Sequence, residues 1–471
     1  MKALGRRELI RNTAPALVGA AIFPRCLLGA RRLSGEPESG AVHPGRRYES
    51  IKDLGIVDLH CHPSLKMYLW NKKIWNRYHS SSGTNPFNLQ YTVDELSYGY
   101  VKGLLVAHYL VEAAFESESA RLKKLFPWIK RLCPGLADKV EHQDYSNFTQ
   151  INTMIDILEA QIHLANQKQD KVKFVIARDF VEFEKAVNQS RIPVAHAIEG
   201  AHALGTRFPV TENKSDWYIR NLEALKARGV CLMTVGHIFQ NDLAPPVEGI
   251  SPDEKQIIKM KWTYAPNKDF PLTEIGRAVV ERMLEIGMIV DLTHTTPRAR
   301  REIFELNKKR ATEGKRMRPL TFTHTGAQAV FEKHQSCNSN IYDNYKFYDA
   351  SDEEIEWICQ CDGTIGVIPE NFWLIGCDTA LNKQERDKFK YGVEYLVETV
   401  EYIRKRTNSY DHISIGTDFD GFADAPDDLH KPSQLGRLIE AFRGAQISDK
   451  DIKKITSGNA LRLLRRGWGN G

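Results

Sequence analysis

The sequence predicts an α/β protein, a TIM-like (β/α)8 barrel with extra loops and helices, and three observations predict it. Short apolar, largely β-branched runs recur along the chain, the pattern of parallel strands buried on both faces. Five of these runs finish on His, Glu or Asp: Ile56-Val57-Asp58-Leu59-His60-Cys61-His62, Pro193 to Glu199, Met288 to His294, Leu320 to His324 and Ile413 to Asp418. Helical stripes lie between them, and His294 and His324 stand one strand-helix repeat apart. In such a barrel the reactive groups gather at the C-terminal ends of the strands, so these runs are expected to deliver their last side chains into one mouth.

A chain of 471 residues has room for more than one domain, but barrels of this class run long as one, and a single enlarged domain over 51–471 is expected. The 65 basic residues exceed the 60 acidic ones by only five. Part of that surplus lies at the amino terminus (Arg6, Arg7, Arg11, Arg25, Arg31, Arg32), which leaves a nearly neutral body with no footprint for nucleic acid. The eight cysteines are scattered without the repeated CxxC of a structural zinc module, and no disulfide framework is implied.

Residues 1–35 read as a twin-arginine-type export signal. Arg6-Arg7 precede a moderately apolar stretch from Ala14 to Leu28, interrupted by Pro24 and Arg25, and small residues follow at Gly29-Ala30. That stretch is too short and too polar to span a bilayer. Residues 36–50, rich in Gly, Pro, Ser and Glu, read as a linker, and the expected location is periplasmic or otherwise extracytoplasmic.

The first strand ends on His60 and His62, which share a face because strand side chains alternate, while Cys61 points away. Two imidazoles one residue apart can both reach a metal ion about 2 Å away. Residues 64–98, polar and aromatic, are expected as a long loop at the same mouth. Gly103 to Tyr109 reads as the second strand, with His108 in a packing role; residues 111–170 read as helical, and Phe174 to Arg178 is a ninth strand candidate assigned to a hairpin edge. Glu199, a carboxylate at a strand end, needs a cationic partner, and two ions roughly 3.5 to 4 Å apart would let it bridge. Gly229 to His237 reads as the fourth strand; an imidazole there suits a carbonyl or an oxyanion as well as a metal. Leu272-Thr273 opens a helix with Glu274 in its first turn, and His294 and His324 end the fifth and sixth strands as co-ligands of one ion. Gly363 to Pro369 fits the seventh strand and Ile413 to Asp418 the eighth; Asp418 would sit over the ions, Asp420 would stabilise the turn, and residues 436–465 would close the barrel as a pair of helices.

Several stretches resemble the renal, or membrane, dipeptidase family, the M19 peptidases of the amidohydrolase superfamily. They are Phe270 to Met283, Glu285 to His294, Ile198-Glu199-Gly200, Thr323-His324-Thr325 and Ile415 to Gly421. The resemblance implies a TIM-like barrel holding two zinc ions and hydrolysing a dipeptide or related small amide. By position it makes His60, His62, Glu199, His294 and His324 metal ligands, with Glu199 bridging, His237 the substrate-contacting histidine and Asp418 the acid-base aspartate. This sequence departs from the family pattern twice. His62 stands where the family usually has Asp, and His334-Gln-Ser-Cys-Asn338 lacks the Arg that holds the substrate carboxylate. The His-x-His pair also permits the alternative of a same-fold lactonase or phosphotriester-type hydrolase. The expected partner is a small molecule, with no transmembrane span; the sequence does not decide between a monomer and a homodimer.

Overall fold

The computed structural model describes residues 53–78, 88–112, 114–132, 136–137, 139, 147–205, 213–250, 255, 268–334, 344–376, 392–421, 425–426 and 428–469. The expected export signal and linker lie outside the described residues. Among the described residues there are nine strands: β1 (Ile56–Cys61), β2 (Val101–Tyr109), β3 (Phe174–Ile176), β4 (Ile192–Glu199), β5 (Val230–Thr234), β6 (Ile289–Asp291), β7 (Leu320–Thr325), β8 (Thr364–Val367) and β9 (Ile413–Ile415). Eight run in the order β1-β2-β4-β5-β6-β7-β8-β9, all parallel. The ring is joined where Cys61 bridges Phe419, where the Asp418 N–H donates to the His60 carbonyl at 2.9 Å and the His62 N–H to that of Phe419 at 2.8 Å. This is the TIM-like (β/α)8 barrel that the sequence predicts.

Helices cover the outside of the sheet, so the strands are buried on both faces and read as nearly unbroken apolar runs. The helix Asn147–Lys168 shows how: Ile151, Met154, Ile155, Leu158 and Ile162 recur at helical spacing and are all buried. Each such side chain stabilises the fold by roughly 1.5–3 kcal/mol. The helix Glu274–Ile286 starts as expected, with Thr273 accepting the Gly276 N–H at 2.9 Å.

Two expectations are corrected. β3 is not a hairpin edge; it pairs in parallel with β4, Phe174 opposite Ile192 and Ile176 opposite Val194. The chain returns through the helix Phe180–Asn188, and parallel neighbours require such a crossover. Arg178 then lies against Gly229 (φ 87°), where a Cβ would sit 2.8 Å from the Arg178 Cα. The stretch expected as a loop over 64–98 opens with the helix Pro63–Trp70, started by Pro63 in its first turn, and carries a second short helix, Val93–Leu96. The carboxy-terminal pair is Leu435–Gly444 and a longer run from Asp449 to Gly467, which contains a π turn at Lys454–Gly458.

Candidate metal centre

Alternation along β1 puts Asp58, His60 and His62 on the barrel's inner side, and β4 brings Glu199 to the same level. The Glu199 carboxylate lies among histidines from four strand ends. Its Oε1 is 3.1 Å from His60 Nε2 and 3.4 Å from the Nε2 atoms of His294 and His324. Its Oε2 is 3.3 Å from His62 Nε2 and 3.2 Å from His237 Nε2. Between the imidazoles, His60 and His62 approach to 2.9 Å and His294 and His324 to 3.1 Å, each through Nε2. Asp418 closes the group from the rim, its Oδ1 3.0 Å from His62 Nε2. All of these but Asp418 are buried.

A hydroxyl decides how two of these rings carry their protons. Thr323 Oγ1 donates its single hydrogen to Asp291 Oδ2 at 2.7 Å, so it can only accept from His60 Nδ1 and His324 Nδ1, both at 2.9 Å. Each ring therefore holds its hydrogen on Nδ1 and turns a bare Nε2 lone pair toward Glu199. Asp291 is fixed in turn by Thr234 Oγ1 at 2.5 Å, Thr293 Oγ1 at 2.7 Å and the Thr323 N–H at 3.0 Å. Asp58 does the same for β9, accepting from the Thr417 N–H, the Thr417 hydroxyl, the His60 N–H and Tyr91 Oη. Burial raises its pKa, against those hydrogen bonds.

The electrostatics follow from crowding. Burial pushes the His324 imidazole well below its ordinary value and lowers that of His294. Burial acts against His60 as well but is outweighed by Glu199 and Asp418, so its pKa rises. Glu199 is held well below the carboxylate range: His237, His60 and His62 outweigh its burial. His237, although buried, is lifted to about 10 by Glu199 on one side and Glu112 on the other. Two site residues also have left-handed backbone, His294 at φ 63° and Asp418 at φ 51°, a conformation that ordinary residues adopt at a cost.

The structure thus brings together all seven residues singled out in the sequence: His60, His62, Glu199, His237, His294, His324 and Asp418. His108 is elsewhere, in the layer outside the barrel, where its Nε2 meets His196 Nδ1 at 3.0 Å. Asp420 pairs with buried Lys66 at 2.9 Å and accepts the Gln90 and Tyr91 N–H groups, which ties the 88–92 segment to the turn after β9. Residues 335–343, where the family's Arg position falls, lie outside the described residues. Sequence reasoning missed Thr323, Asp291 and Glu112; the last lies three residues past a strand end, the very signal that found the others.

The donor set fits divalent metal. Among the described residues three overlapping groups, His60, His62 and Glu199, then Glu199, His294 and His324, then His60, His324 and Asp418, each have nitrogen and carboxylate oxygen atoms within 4.8 Å of one another. Thr323, by accepting from Nδ1 of His60 and His324, leaves both Nε2 atoms open to a cation, the way a metal-ligating imidazole is usually oriented. Imidazole with carboxylate is a donor mixture that zinc accepts readily.

Comparison with known proteins agrees. The sequence pattern of the membrane dipeptidases, peptidase family M19, matches residues 49–467. The chain belongs to the membrane dipeptidase family. Among curated members it is similar to dipeptidase aclJ of Aspergillus oryzae, 26% identical over 195 residues, which are 41% of this chain and 38% of that protein. Dipeptidase verJ of Clonostachys rogersoniana is 22% identical over 327 residues, 69% of this chain and 67% of that one. The chain spans only about two fifths of the length of the first relative. Its fold is that of a Rhodobacter sphaeroides metallo peptidase liganded with a phosphinate mimic of L-Ala-D-Ala (TM-score 0.61, 16% identity, 88% of this chain and 99% of that chain). The probable dipeptidase PvdM of Pseudomonas aeruginosa is similar in fold (TM-score 0.57, 16% identity, 88% and 96%). Among the described residues no helix of this dipeptidase-family chain is long and apolar enough to cross a membrane.

Proposed function

We propose that this protein is a zinc-dependent dipeptidase that hydrolyses a dipeptide or related small amide, with two ions per chain. The observation that carries the reading is Glu199, whose carboxylate lies against two close imidazole pairs at once, His60 with His62, 2.9 Å apart, and His294 with His324, 3.1 Å apart. His60, His62 and Glu199 would hold one ion, and Glu199, His294 and His324 the second. When bound, zinc supplies the Lewis acidity that acidifies a water and polarises a carbonyl.

The chain's own residues do the rest. Asp418, the partly exposed carboxylate at the rim, takes the proton of the attacking water and delivers it to the amine nitrogen as the C–N bond breaks. His237 faces the carbonyl and donates a hydrogen bond to the oxygen as negative charge develops there. Tyr348, 5.1 Å from the His294 ring and stacked on Trp373 at 4.0 Å, walls the mouth and limits water.

Elemental analysis of the purified chain together with assays on dipeptides carrying L or D carboxy-terminal residues tests this reading. The expected result is two zinc ions per chain and amide turnover; bound zinc with cleavage of lactones alone would overturn it. Export through the twin-arginine-type segment is proposed on Arg6-Arg7 and the apolar run behind them. A reporter fused to residues 1–35 that stays in the cytoplasm would refute that part.

A further inference from the structure

We propose that Glu112 is the positioning residue that aims His237 at the reacting carbonyl and locks Tyr109 beside it, an inference that rests on the amide-hydrolase reading above. Glu112 lies just past the end of β2 and is buried. Its Oε2 meets Tyr109 Oη at 3.2 Å and His237 Nδ1 at 3.2 Å, and its Oε1 meets the Phe239 N–H at 3.1 Å. An ionised carboxylate has no hydrogen to give, so all three contacts are donated to it. One hydrogen of His237 is therefore held at Nδ1 by Glu112, and the ring is turned so that Nε2, with the second hydrogen it donates to the carbonyl oxygen, faces the centre, 3.2 Å from Glu199 Oε2.

The three bonds work as a unit. An imidazole's terminal torsion is broad and has no strong preference of its own, so the ring needs an external anchor. Glu112 provides it at Nδ1 and grips the backbone two residues further on, which makes the ring and its loop one body. The Tyr109 ring, 4.4 Å from the His237 ring between centroids, is held by the same oxygen and blocks the ring from swinging back. The coupling to His237 runs through the Glu112 carboxylate, and removing that charge should loosen His237 without disturbing the zinc ligands.

Kinetics of the zinc-loaded enzyme on a dipeptide, with inhibition by a phosphinate dipeptide mimic as a tetrahedral anion, test this. Glu112→Gln, nearly isosteric, is expected to lower kcat on the order of 10–100-fold with KM changed by less than about twofold. Phosphinate affinity should weaken in proportion to kcat/KM, and the zinc content should stay at the wild-type level. The double variant Glu112→Gln/His237→Ala should be no slower than His237→Ala alone, because residues acting as a unit are not additive. Glu112→Asp, which keeps the charge at shorter reach, should recover part of kcat and keeps the inference testable if the Gln variant folds poorly. Additive losses, or loss of zinc in step with kcat, would overturn it. A slow His237→Ala beside a Glu112→Gln of wild-type rate sinks this inference alone; a His237→Ala of wild-type rate sinks the reading of the site as well.

Discussion

The barrel contains two histidine clusters with similar ingredients and opposite behaviour. At the mouth, His60, His62, His294 and His324 surround Glu199; in the layer between sheet and helix, His108, His196 and Glu159 form a line. Spacing does not separate them, since His108 and His196 meet at 3.0 Å, much as the mouth pairs do at 2.9 and 3.1 Å. Connectivity does. In the outer cluster each gap takes one hydrogen: His196 donates from Nε2 to Glu159 at 3.1 Å, and its Nδ1 accepts from His108 Nε2. Neutral imidazoles satisfy that line, in keeping with the lowered pKa that burial gives both rings. At the mouth the hydrogens of His60 and His324 are already used on Thr323, and bare nitrogens converge on one carboxylate. At His60 and His324 an acceptor outside the cluster takes the Nδ1 hydrogens and leaves the Nε2 atoms open to a metal, whereas the outer cluster spends its hydrogens within itself.

The contrast predicts the size of each perturbation. Glu199→Ala or His294→Ala should abolish bound zinc and cost several kcal/mol of barrier lowering, about a thousandfold or more in kcat/KM, with the fold retained by circular dichroism. Chelation should lower the melting temperature of the wild type and leave these variants unmoved; a variant that loses zinc yet keeps its rate would break the comparison. Thr323→Val, which removes the acceptor for two imidazoles while keeping volume, should weaken zinc binding about 10–100-fold, read by competition with a chelator. On the outer cluster, His196→Leu should cost about 1–3 kcal/mol of unfolding free energy by stranding His108, while Glu159 keeps Arg178, with zinc content and turnover kept.

The smallest effect concerns acid. The hydrogen bond from His196, with Arg178 close by, holds the Glu159 carboxyl at about 2, below its ordinary 4.5. The unfolded chain binds that proton more readily, so the contribution is complete above about 4.5 and fades as pH falls toward 2. Glu159→Gln should flatten the acid limb of the stability curve by about 1 kcal/mol, a discounted figure because the carboxyl is partly exposed. Denaturant midpoints measured across that range would check it.

The ring of strands and its seven mouth residues were legible because parallel strands buried on both faces leave apolar runs, and a charged or imidazole ending to such a run stands out. What supports them was not. Thr323 and Asp291 are common strand residues whose meaning lies in a hydroxyl with its one hydrogen already given away. Lys66 and Asp420, or Thr417 and Asp58, meet across hundreds of residues with no local pattern to announce them. Glu112 carried the right signal but was absorbed into a stretch read as helical. β3 was misplaced because strand length alone cannot tell a parallel stub from a hairpin arm.

His294 and Asp418 keep backbone angles that a glycine would accept more comfortably. A laboratory selection for heat resistance alone, blind to turnover, should therefore be drawn to these two positions early. Survivors would be hardier proteins that had discarded the proposed ligand or the proposed proton carrier, so any campaign to toughen this chain needs an activity gate from its first round.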